Sequence, residues 1–402
     1  MSLAESTGFA HRPIPTIVAA TLSITLGALP IFLVGALAVF IRPGLGFGEL
    51  ALGALATLYY LSSALSTVPG GRLAERLGGP KAMSVAAALS MLAAFGIAQF
   101  AVNWASLAGL LVLAGIANGL AFPSSNLALA RGVPRRRHGV AFGIKQSAGP
   151  YAALLAGAAV PLIGLTVGWR WAFRLAGVAA VPILLGGGIR QPAGRVAAGT
   201  RDDVAVAPLR VLSLAAFFGV SASASLGAFY VESAVAIGTP AGTAGAMLSV
   251  GAALGVGARI GWGWVGDRHP SAHFAMITAL LGVGSIAFAM VGVVRSTLAL
   301  VVITIVVFAT GWAWPSLLNF AVVRRSREAP GIASGTLGVG QFGGGIIGPL
   351  LFGLIVENAS YRAAWFAAAV MVSVAAVLVF IGGQKLEEWC RSRAAPLSRE
   401  VA

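Results

Sequence analysis

Lys145 and Gln146 stand side by side in Gly143-Ile144-Lys145-Gln146-Ser147, within an apolar run long enough to bury them. An ammonium in hydrocarbon costs several kcal/mol unless it has a function or a partner. A lysine there could hold an anionic solute, or titrate; otherwise its stem runs along apolar surface and its head snorkels back to the interface. Gln146 adds an amide at the same depth, and Gln341 adds another in a second apolar run 195 residues on (341 − 146 = 195). Other polar groups inside apolar runs extend the candidate binding set: Tyr59, Asn118, Trp312, Asn319 and Arg259, with Tyr60, Asn126, Tyr151 and Trp314 beside them. Aromatic rings with a polar tip suit a ligand pocket, although helix packing accounts for any single one equally well. Glu232, next to Tyr230 near the end of its run, reads either as a coupling-proton carrier or as a rim carboxylate.

A second constellation is made of charged turns. Gly71-Arg72-Leu73-Ala74-Glu75-Arg76 and Gly263-Trp264-Val265-Gly266-Asp267-Arg268 both lie between apolar segments, and 263 − 71 = 192. The same offset pairs Gly53 with Gly245, Glu75 with Asp267, Arg76 with Arg268, Gly119 with Gly311, Pro123 with Pro315, and Arg170 with Arg362. Structurally awkward residues in one register over half the chain are the mark of a duplicated membrane bundle.

The elements that must carry these residues follow from composition. The chain has 402 residues, 58% hydrophobic and only 10% charged, against about a quarter charged in soluble domains. Apolar runs of about 20 residues recur, the length that crosses the hydrocarbon core. The pattern predicts an all-α, polytopic protein with twelve transmembrane helices, near 15–40, 49–70, 82–101, 105–129, 140–166, 170–189, 211–236, 241–262, 273–294, 297–322, 332–356 and 362–382. They form two pseudo-symmetric six-helix bundles: an N-terminal bundle over 1–189, a cytoplasmic linker over 190–210, a C-terminal bundle over 211–383 and a tail over 384–402. Small-residue pairs at Gly115 and Gly119, Gly139 and Gly143, Gly251 and Gly255, and Gly344 and Gly348 predict close helix approach.

Basic residues crowd one set of loops, among them Arg72, Arg76, Arg131, Arg135, Arg136, Arg137, Arg268, Arg324 and Arg325, whereas the other set holds Arg42, Arg170, Arg295 and Arg362. By the positive-inside rule both termini are cytoplasmic, and the net charge of +15 needs no nucleic acid. Arg135-Arg136-Arg137 also lacks the interleaved aromatics of a nucleic-acid face. The first apolar run, preceded by Arg12, is too long for a cleaved signal and reads as a retained helix. The single cysteine, Cys390, forms no disulfide or cysteine-based metal site within the chain, and the four histidines offer no metal set, so neither metal nor cofactor is expected. Gly338-Val339-Gly340-Gln341-Phe342-Gly343 spells a dinucleotide motif without the required strand. Titratable groups are too scattered for an enzyme site.

With these features in hand, the chain resembles the major facilitator superfamily over nearly its whole length. Gly71 to Gly78 fits the first eight positions of the family's loop signature, with Glu75 for Asp, and departs from it at Gly79-Pro80-Lys81. The resemblance implies gating by the loop acids: Glu75 and Arg131 closing on the segment near Gly331, and Asp267 doing the same with Arg324 or Arg325, with Arg76 and Arg268 beside the acids. It implies secondary active transport of a small solute by alternating access. The positive charge of Lys145 makes that solute an organic anion, moved with protons or by exchange. The alternative is a multidrug/proton antiporter, because Gly149-Pro150 is similar to the antiporter motif of the fifth helix. Lys145 and Ala153-Leu154 depart from that motif, and the first helix lacks an acid. The expected setting is a bacterial inner membrane, with lipid and a small-molecule substrate as partners and a monomeric chain.

Overall fold

The computed structural model describes residues 13–134, 138–185, 205–269, 271–326 and 330–394. All regular elements among them are helical. In chain order they are α1 (Pro13–Ala36), α2 (Ala38–Leu45), α3 (Glu49–Leu77), α4 (Gly79–Phe100), α5 (Trp104–Gly132), α6 (His138–Gln146), α7 (Ala148–Ala159), α8 (Trp169–Val178), α9 (Val181–Leu185), α10 (Val206–Ala236), α11 (Ala241–Arg268), α12 (His273–Val293), α13 (Thr297–Val306), α14 (Trp314–Arg325), α15 (Pro330–Asn358) and α16 (Tyr361–Ala394). Two π-helical turns interrupt this series, Val160–Gly164 after α7 and Val307–Gly311 between α13 and α14.

Ten stretches are long and apolar enough to cross a membrane, with Thr297–Arg325 counted as one. The fifth and sixth crossings are assembled from shorter pieces, α6 with α7 and its π turn, and α8 with α9. The result is the twelve-crossing architecture anticipated from the hydropathy pattern. Proline explains the piecewise build. Pro150 has no N–H for the Gln146 carbonyl, and its ring crowds that oxygen, so α6 ends at Gln146 and α7 restarts at Ala148. Pro161 and Pro315 likewise accompany the two π turns.

Several boundaries differ from the sequence expectation. The first crossing runs on through α2 to Leu45. The helix α10 begins at Val206, so the end of the expected linker is helical, whereas residues 186–204 lie outside the described residues. The helix α16 continues to Ala394, well into the expected tail. Also outside the described residues are Arg12, the Arg135-Arg136-Arg137 run and residues 327–329 before the Gly331 segment.

The chain divides into two compact units, one of Met1–Leu33 and Leu58–Val196, the other of Val34–Thr57 and Ala197–Ala402. In the first, α4 packs against α5 and α8. Its core joins Ile24, Ala74, Ala82, Ala86, Leu120, Ala121 and Ala148, mostly small side chains that let backbones approach. In the second, α10 packs against α15 and α16, and α12 against α16. Close approach is realised at Gly344 and Gly348, where an added Cβ would lie 2.3 Å from the carbonyl oxygens of Phe217 and Ser221. The expectation fails at Gly143, which faces open space within 4 Å. Between α3 and α4 the chain turns on Gly78 at φ +82°, a conformation that L side chains rarely adopt, which explains why the loop motif ends on glycine.

Candidate functional site

Lys145 occupies the last turn of α6, immediately before the break at Ser147. It does not snorkel: the residue is 2% exposed. Its Nζ donates to Asn126 Oδ1 of α5 and faces the Phe122 ring at 4.3 Å and the Phe142 ring at 5.5 Å. The lysine is thus held by an amide and two aromatic faces. Among the described residues no carboxylate forms an ion pair with it. Gln146 is half-buried beside it.

A second polar cluster of the first unit ties α1, α3 and α5 together. The Tyr59 hydroxyl, 1% exposed, donates to the Gly27 carbonyl at 2.9 Å. Asn118 Nδ2 donates to Ser63 Oγ at 2.9 Å, and Gly27 lets the Asn118 backbone come close. Asn118 Oδ1 is buried without a hydrogen-bond partner among the described residues, which leaves an acceptor in reserve. Glu75 and Arg76 are exposed at the end of α3, and Arg131 is half-buried near the end of α5.

In the second unit two of the candidate residues, Arg259 and Trp312, meet beside the π turn. Arg259 Nη2 of α11 donates to the Trp312 carbonyl at 2.8 Å. Trp262 Nε1 donates to the Ala309 carbonyl at 3.0 Å, and Ser223 Oγ donates to the Gly311 carbonyl at 3.3 Å. Neighbouring side chains thus satisfy carbonyls in and beside the turn, as backbone in an apolar surround requires. Asn319 Nδ2 spends one donor on the Pro315 carbonyl at 2.9 Å. Gln341 is half-buried on α15.

Asp267 is exposed at the end of α11, where Arg268 stacks over the Trp264 ring at 3.3 Å. Asp267 makes no salt bridge among the described residues. Arg325 is instead bound by Glu387 of α16 at 2.7 Å, and Arg324 lies over the Phe320 ring at 5.9 Å.

Glu232 belongs to a cluster the sequence did not reveal. Its Oε2 meets Arg42 Nη1 at 2.6 Å and accepts from the Tyr361 hydroxyl at 3.2 Å, while Arg42 Nη2 meets Glu49 at 2.9 Å. An open recess of ≈ 390 Å³ lies here, lined by Val39, Arg42, Pro43, Gly46, Phe47 and Glu232. Charges of opposite sign flanking the glycine turn at Gly46 were the available signal for Arg42 and Glu49; nothing local points from either to Glu232. Among the described residues no group of three His, Cys, Asp or Glu side chains could hold a metal ion.

Comparison with known proteins gives consistent results. The model of the Major Facilitator Superfamily matches residues 16–339. No curated protein matches the sequence. Among solved structures, a bacterial homologue of the human lysosomal transporter Spinster, inward-facing and unoccupied, is similar with a TM-score of 0.74 at 15% identity, covering 94% of this chain and 98% of that one. An occupied inward-facing form of such a homologue gives 0.72 at 16% identity, covering 92% and 97%. A D-xylose-proton symporter gives 0.73 at 16% identity, again covering 92% and 97%.

Proposed function

The chain belongs to the major facilitator superfamily, and from that premise we propose that this multi-pass membrane transporter carries a small organic anion by alternating access, coupled to protons or to counter-exchange. One observation carries the reading: Lys145 is a buried, protonatable amine whose described partners are all neutral. Its charged form is expensive in an apolar interior unless something supplies the opposite charge, and a bound anion does so. The substrate candidates are then, in the first unit, Lys145 as anchor, Asn126 holding it in place, and Gln146 and Asn118 as further polar groups, and, in the second, Gln341, Trp312 and Asn319. Tyr59 and Arg259 act through the helix carbonyls they already bind. A proton symporter of the same fold is the ground for naming protons among the coupling species.

Glu75 with Arg131, and Asp267 with Arg324, form the gating set in this reading; Arg325 drops out because Glu387 engages it. In this reading the crowding of basic residues on one set of loops puts the loop of Gly71 to Arg76 and both termini in the cytoplasm of a bacterial cell, and the chain acts as a monomer in the inner membrane. The test is uptake of labelled carboxylates into proteoliposomes. Lys145→Ala should abolish the carboxylate signal. Export of lipophilic cations that is indifferent to Lys145→Ala would instead establish the multidrug antiporter.

A further inference from the structure

We propose that Lys145 itself takes up the coupling proton, so that one monoanion and one proton cross together. The inference rests on the organic-anion reading above and narrows its substrate class to monocarboxylates. Nζ is enclosed by Asn126 Oδ1, the Phe122 ring and the Phe142 ring, none of which carries a formal charge. An amide oxygen and ring faces attract an ammonium without neutralising it.

The elements around Lys145 supply no counter-charge either. The helix α1 has no ionisable side chain, and α7 has only Tyr151. On α3, Arg72, Glu75 and Arg76 are exposed, as is Lys81 on α4. On α5, Arg131 lies five residues beyond Asn126, and at the start of α6 is His138, whose side chain lies outside the described residues. Among the described residues none forms an ion pair with Lys145.

A neutral amine is at home in this enclosure, whereas an ammonium calls for an anion. An arriving carboxylate supplies it, so proton and anion promote each other's binding, and linkage makes the two effects equal. The proton moves from water on one side to Nζ, and from Nζ to water on the other side once the anion has left. One amine matches one carboxylate, and the transported pair carries no net charge.

L-lactate, pyruvate and benzoate serve as probes. In weakly buffered detergent, wild-type protein that binds a transported probe should take up about one proton per chain, read with a pH indicator. In proteoliposomes, an inward acid gradient should drive accumulation that is indifferent to a potential imposed with potassium and valinomycin. Arginine stays protonated, so Lys145→Arg should lower the ratio of gradient-driven accumulation to counterflow roughly tenfold or more. A wild-type ratio in Lys145→Arg, or a transported probe bound without proton uptake, overturns this inference and leaves the anion reading standing. Failure of any carboxylate to be transported removes both. Where Lys145→Arg does not reach the membrane, the wild-type proton uptake and valinomycin measurements decide.

Discussion

The fourth and tenth crossings are repeat mates, yet the same proline leads to different backbones. Gly119-Leu120-Ala121-Phe122-Pro123-Ser124 corresponds at an offset of 192 to Gly311-Trp312-Ala313-Trp314-Pro315-Ser316. Both crossings start from a side-chain cap, Asn103 in one and Ser296 in the other. The fourth then runs unbroken through Pro123, whereas the tenth opens into a π turn just before Pro315. Their neighbours account for the contrast. On α3, Thr67 turns its hydroxyl back onto the Ser63 carbonyl of its own helix at 2.9 Å, and Gly70 lets α5 approach: an added Cβ on Gly70 would lie 2.9 Å from Leu120 Cα, and one on Gly119 would lie 2.3 Å from the Ser63 carbonyl oxygen. The mates of Thr67 and Gly70 on α11 are Arg259 and Trp262 (67 + 192 = 259; 70 + 192 = 262), too large for that contact. They reach instead to carbonyls in and beside the π turn. The duplicated scaffold therefore tolerates a proline in two ways, by tight packing or by side-chain donors.

Five substitutions test that contrast. Gly119→Ala drives a methyl into backbone that cannot yield, and thermal unfolding in detergent should show a loss of about 1–3 kcal/mol. Gly311→Ala meets a Phe288 ring that can turn, at 2.8 Å, and should cost visibly less; equal losses would dissolve the distinction. Arg259→Ala removes a charged donor from the Trp312 carbonyl and should destabilise by roughly 1.5–3 kcal/mol in the same assay. Trp262→Phe keeps the ring and deletes one N–H, for an expected loss of about 0.5–1.5 kcal/mol; no loss would mean that the Ala309 carbonyl does not need it. Ser223→Ala should be the mildest, at most about 0.5 kcal/mol, because its hydroxyl already bonds Gly219 at 2.9 Å and reaches Gly311 at 3.3 Å.

The parts of this fold legible in the sequence are those with a long or repeated signal. Twelve crossings follow from run length, and the offset of 192 pairs Pro123 of the fourth crossing with Pro315 of the tenth. The breaks at Ser147 and in the two π turns were missed although Pro150, Pro161 and Pro315 were in view, because in lipid a proline alone does not decide between kink and continuity. Pro123 makes the same point from the other side. The fate of Lys145 depended on Asn126 and Phe122 of another helix, so its sequence neighbours left snorkelling and burial equally open. Glu232 and Arg42 are 190 residues apart, and no periodicity spans that distance.

The length of α16 bears on how α14 is fastened. Its 34 residues extend about 51 Å at 1.5 Å per residue, well over the ~30 Å of the hydrocarbon core. Glu387, 26 residues after Tyr361, therefore projects among headgroups or water, and its side chain is 33% exposed against 6% for Glu232. Mobile ions screen a pair in that position, so the clasp of Glu387 on Arg325 slackens in brine while the knot around Arg42 holds.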